Sequence, residues 1–146
     1  MSITAVPAED QTQLGPWRVR RDEPPVVKID NIVYRVHPFG GGLVAVTAFV
    51  SPEVLVSRGA IVRDRAVVVG SVRLFDEAIV EENAIVTGMC TLRDRARVSG
   101  DAVLRGGVKM SDAARADGTV RLSGSVKLSN FAHVSSGIIT GGITLS

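Results

Sequence analysis

The chain has 146 residues, 17 Lys and Arg against 15 Asp and Glu, a formal charge of +2, and a composition that is 45% hydrophobic but only 4% aromatic. That length suits one domain, the near-balanced charge argues against a dedicated nucleic-acid binder, and the scarcity of rings points to a core of small aliphatics. A single cysteine excludes an internal disulfide, no N-terminal stretch has the form of a secretory signal, and no apolar run approaches the roughly 18 residues of a membrane span.

Residues 1 to 25 form a polar, Pro-bearing arm whose only tryptophan, Trp17, stands among Arg18, Arg20 and Arg21. Such a segment cannot bury enough apolar surface to fold alone. Trp17 is therefore its expected anchor, on its own subunit or on a neighbour. Next, Val26–Ile29 and Ile32–Val36 flank Asp30-Asn31, the pattern of a short hairpin or a kinked strand pair. Residues 26 to 47 are expected to be a β cap and linker, because a bare first coil would expose unpaired backbone groups.

From Ala48 to Ser146 one pattern recurs every six residues: Ala48-Phe49-Val50, Val54-Leu55-Val56, Ala60-Ile61-Val62, and so on to Thr144-Leu145-Ser146. A six-residue period cannot keep two apolar columns on one face of a helix, whereas first and third places, two apart, share one face of a strand. The fifth places, among them Asp64, Gly70, Asp76, Glu82, Gly88 and Asp94, include many residues that tolerate a tight or left-handed corner. A longer period lies over the first, with Gly70, Gly88, Gly106, Gly124 and Gly142 spaced by eighteen residues and Asp76, Asp94, Asp112 and Asn130 forming a second such column. Eighteen is three hexads, so residues 48 to 146 are expected to wind as triangular coils, about five and a half of them, stacked at roughly 4.8 Å.

The inward third places then line three walls: Val50, Val68, Val86, Leu104 and Leu122; Val56, Leu74, Leu92, Met110 and Leu128; and Val62, Val80, Val98, Ala116 and Val134. Cys90 takes an inward first place and is expected to be a small core residue. An aliphatic residue followed four places on by a small one, as in Val62 to Ala66, Val80 to Ala84, Leu92 to Ala96 and Val98 to Ala102, resembles the motif of the hexapeptide-repeat proteins. The resemblance covers about two thirds of the chain and implies an all-β, single-stranded left-handed parallel β-helix. The left hand comes from the resemblance alone, since strand crossovers are otherwise right-handed.

Second places point outward. One wall there carries Phe49, Val67, Ile85, Val103, Arg121 and Ile139, flanked by Val69. An apolar strip of this length on a small protein marks a contact surface, and Phe49, Val67, Val69, Ile85, Val103 and Ile139 are the expected oligomer interface. The resemblance implies a trimer of parallel prisms, whose cyclic symmetry closes the contact. The other reading of the strip is that the arm covers it within one subunit. Arg73, Lys109 and Lys127 lie on a second outer wall and Arg97, Arg115 and His133 on the third, with Asp76, Asp94 and Asp112 at nearby corners as expected counterions. Beyond Val134 the inward places are expected to turn polar, at Thr140, Thr144 and Ser146, leaving the last coil as a solvated tip or an end-on docking face.

The resemblance also brings acyltransferases, which use a histidine general base and an acyl-carrying cofactor between prisms. Only His133 and His37 could serve, and no loop interrupts the repeat after Ala48. The three-histidine zinc centre of another branch of this fold has no counterpart. The aspartate ladder could take a hard cation, although its corner role already accounts for it. The expectation is therefore a non-enzymatic structural or interaction module without cofactor, metal or membrane. It self-associates as a trimer and meets other proteins of an assembly through the arm or the last coil. It is cytoplasmic, or a decoration or tail-associated virion component if phage-encoded. The alternative is a minimal acyltransferase with His133 or His37 as base.

Overall fold

The computed structural model describes residues 2–3 and 26–146. The remainder of the arm, Trp17 included, lies outside the described residues. Among them every regular element is a strand. β1 (Ser2–Ile3), β2 (Val26–Ile29), β3 (Ile32–Val36) and β4 (Leu43–Ala45) pair antiparallel in that order. The β2–β3 connection is a hairpin: Asp30 and Asn31 both take positive φ, 50° and 64°, as a two-residue turn matched to the strand twist demands.

β4 then changes partner type. Its Leu43 and Val44 pair parallel with Ile61 and Val62, so the parallel register begins at Leu43, ahead of the first hexad read from the sequence. From there the chain is a parallel β-solenoid of about six turns, built as stacked coils of three two-residue strands. The first sheet, here the cap wall, runs from β4 through Ile61–Val62, Ile79–Val80, Arg97–Val98 and Arg115–Ala116 to His133–Val134. The Phe49 wall begins at Phe49–Val50 and ends at Ile138–Ile139, and the Lys109 wall runs from Leu55–Val56 to Thr144–Leu145.

The corners follow from residue type. Asp64, Asp76, Glu82, Asp94, Asp112 and Asn130 hold φ between 55° and 59°. At one corner the carboxylate also joins the coils: the Oδ2 atoms of Asp76, Asp94 and Asp112 accept the amides of Asp94, Asp112 and Asn130 at 3.1, 3.1 and 2.9 Å. An aspartate there tolerates the left-handed backbone and satisfies a turn amide of the following coil. Where the corner is glycine the coils approach too closely for a side chain. A Cβ on Gly88, whose φ is +86°, would stand 2.7 Å from the Gly106 nitrogen.

Inside, every first and third place from Val54 to Leu128 is at most 1% exposed, and together they form one cluster. Each buried Val or Leu contributes roughly 1.5–3 kcal/mol before chain entropy is subtracted. Cys90 sits in this column as expected. Burial pushes its thiol up to about 11, and its Sγ lies 3.2 Å from the Thr87 carbonyl oxygen.

The last coil departs from the expected phase. Strand partners stand eighteen residues apart as far as Arg115 and His133, but Arg121 pairs with Ile138 and Lys127 with Thr144, a step of seventeen. One corner residue is missing after Val134. The Ser135 carbonyl accepts the Thr119 amide, the bond that Gly118 supplies to Asp101 one coil earlier. Thr140, Thr144 and Ser146 are therefore not the inward residues. Ile139 and Leu145 are, and they pack against the core. The glycine that continues the column of Gly124 is Gly141, at φ +85°, rather than Gly142. Inward packing explains the slip, because it keeps apolar side chains in the column where strict spacing would have placed hydroxyls.

Candidate functional site

With the core filled by alternate residues, function is left to the outward side chains, and the three walls differ in kind. On the cap wall, opposite charges interleave. Glu81 is buried, with Oε1 at 2.5 Å from Arg63 Nη2 and Oε2 hydrogen-bonded by Arg97 Nε. Burial pushes the Glu81 carboxyl up, but the hydrogen bonds from Arg97 and Arg63 outweigh it and hold the group below the usual carboxylate range. The Arg63 guanidinium is raised in turn, chiefly by its bond to Glu81 and in part by a hydrogen bond with Tyr34 of the cap hairpin. Sequence reasoning missed this triad, although Arg63 and Glu81 stand eighteen residues apart on the same outward column.

His133 lies on that wall, one strand beyond Arg115. Its Nε2 is 2.9 Å from both Asp117 oxygens, and Arg115 reaches the same carboxylate at 3.4 Å. The imidazole is thus held by a carboxylate on an open face, with its side chain about half exposed. His37 is placed differently. It is buried in the cap loop, and its Nε2 donates to the Val54 carbonyl at 2.7 Å. The same loop offers the Phe39 carbonyl to the Val56 amide and the Gly42 amide to the Val56 carbonyl, sealing the edge of the first strand of the Lys109 wall. His37 is therefore a structural pin, and the two histidines do not share a site.

The Phe49 wall brings Phe49, Val67, Ile85 and Val103 into one in-register row. Phe49 is 57% and Ile85 37% exposed, while Val67, Val69 and Val103 are half-buried. Ile139 does not belong to this row, because the shortened corner turns it inward. Ile138, 75% exposed, takes the outward place, separated from Val103 by Arg121.

The Lys109 wall is basic. Arg73, Thr91, Lys109 and Lys127 stack in register, with Phe75, Arg93, Ser111 and Ser129 two residues along. Among the described residues no carboxylate lies within ion-pairing distance of Arg73, Arg93, Lys109 or Lys127. The expected counterions Asp76, Asp94 and Asp112 instead direct an oxygen along the axis to backbone amides. Also among the described residues, no group of three or more His, Cys, Asp or Glu side chains is placed to hold a metal ion. Comparison of the chain with protein-family models, with curated proteins and with solved structures finds no match.

Proposed function

We propose that the chain is a non-enzymatic structural module of the hexapeptide-repeat type, a rigid prism that self-associates through the Phe49 wall. The observation that supports this reading is the row of Phe49, Val67, Ile85 and Val103, apolar side chains held at successive coil heights and left partly in water. A soluble monomer gains nothing from such a row, whereas burying it against its own copies removes each side chain from solvent at once. A cyclic trimer of parallel prisms closes the contact without leaving a free copy of the row. The stacked coils offer a stiff spacer for a larger assembly, and a decoration or tail-associated component of a virion is one such setting.

The test is the mass of the full chain by sedimentation equilibrium. A trimer in the wild type and a monomer with an unchanged far-ultraviolet spectrum in the Phe49→Asp/Ile85→Asp double variant support the proposal. A wild type that is monomeric at every concentration, or a double variant that keeps the wild-type mass, overturns it.

A second reading, a minimal acyltransferase, is favoured by the carboxylate-held imidazole of His133, since a base needs an orienting partner. Thiol release from acetyl coenzyme A in the presence of amine or hydroxyl acceptors, abolished by His133→Asn, supports this reading. Absence of release leaves the structural one.

A further inference from the structure

We infer that the Lys109 wall binds an extended acidic polysaccharide of the uronate class, through Arg93, Lys109 and Lys127 and the hydroxyls between them. The inference is independent of self-association, which concerns a different wall.

The first ground is the contrast between two faces of one prism. On the cap wall Glu81 and Asp117 are each set between two cations, so the stacking of Arg97 over Arg115 is compensated by these two carboxylates. On the Lys109 wall Lys109 stands directly over Lys127 on a paired strand, and among the described residues neither meets a carboxylate. Like charges opposite each other across a ladder are destabilising. The adjoining Asp94 and Asp112 each turn one oxygen to a corner amide and stand outside ion-pairing distance of both lysines. A fold that neutralises one face and leaves another row of cations unpaired presents that row to an external anion.

The second ground is shape and chemistry. The cations line a depression of about 370 Å³ along the coil axis, together with Thr91, Ser111 and Ser129. Strands stack at roughly 4.8 Å, so charge and hydroxyl recur as a straight row at short intervals. A uronate chain presents the complement, a carboxylate on each sugar and hydroxyls between, on a stiff backbone. A nucleic-acid strand suits the row less well: its bases want aromatic faces to stack on, and no aromatic ring lines the depression.

The experiment is calorimetric titration of the full chain with a galacturonate hexamer at low salt. Binding that weakens as salt is added, and that falls about tenfold in Lys109→Gln/Lys127→Gln, as expected for the loss of two exposed ion pairs, supports the inference. The Lys28→Gln control, on the cap hairpin, should bind as the wild type does. Because Thr91 occupies the equivalent place one coil earlier, Lys109→Thr keeps the outer pattern and serves as a second variant whose folding is not in question. No binding of the hexamer, equal binding of a neutral hexamer, indifference to both substitutions, or tighter binding of oligothymidylate overturns the assignment.

Discussion

From Val54 to Leu128 the inward side chains are withdrawn from water, whereas Val134, Ile139 and Leu145, which prolong the same three columns, are only half-buried. The residue types are alike and so is the strand pairing. What differs is stacking: a middle side chain has a coil on either side, and one in the last coil has a coil on one side only. The burial energy of a solenoid residue therefore belongs to the interface between neighbouring coils more than to the residue. The two regions also differ at the corner, where the last coil has lost one residue yet keeps its apolar columns.

The largest effect expected from this contrast is in the core. Leu92→Ala, in a fully buried column, should lower stability by about 3 kcal/mol, and Leu145→Ala by about 1 kcal/mol or less, in urea unfolding followed by circular dichroism. Equal losses at the two positions would mean that the last coil is covered as fully as the middle ones.

Corners give a second pair, matched in backbone conformation. Gly88 and Gly141 have φ of +86° and +85°, but a Cβ at Gly88 meets the Gly106 backbone while one at Gly141 has nothing within 4 Å. Gly141→Ala should thus cost only the left-handed strain, about 1 kcal/mol, and Gly88→Ala that strain plus displacement of a coil, about 2–3 kcal/mol. The same unfolding measurement separates them.

The solenoid was legible in the sequence because its two determinants are both periodic. Inward aliphatics at first and third places fix the strands, and Asp or Gly at fifth places fixes the corners, so Val68, Val86 and Leu104 could be assigned to the core and Asp94 to a corner without coordinates. The slip after Val134 was not legible from spacing. Ser135-Ser136-Gly137 contains no residue that marks a shortened corner, and Ile138-Ile139 offers an aliphatic in either phase. Only the pairing of Ile139 with Leu122 decides which isoleucine faces in. On the outer walls, Phe49, Val67, Ile85 and Val103 were legible as one row because they sit one coil apart in one column, whereas Ile139 was misplaced by the slip. The partners of the charges stayed hidden: whether an aspartate neutralises a lysine beside it or caps an amide above it depends on side-chain direction, which spacing does not carry.

The smallest effects belong to the two charged clusters of the cap wall, which place the same comparison in electrostatic terms. Glu81 is buried between Arg63 and Arg97, while Asp117 lies partly exposed between Arg115 and His133, whose side chains are about half in water. Glu81→Gln takes the countercharge from two guanidinium groups and turns one of the two accepting oxygens into an amide donor, and should cost about 2 kcal/mol at neutral pH. Asp117→Asn removes solvent-screened pairs and should cost less than about 1 kcal/mol. The two also separate in their dependence on pH. Because the folded-state carboxyl of Glu81 is held below its ordinary value, its contribution is complete above the ordinary carboxylate range and is lost as pH falls through the depressed value. Wild type and Glu81→Gln should accordingly converge in stability on acidification, beginning within the ordinary carboxylate range and finishing once pH has fallen through the depressed value. A gap that stays constant into strong acid would show that the Glu81 carboxylate contributes through packing and not through its charge.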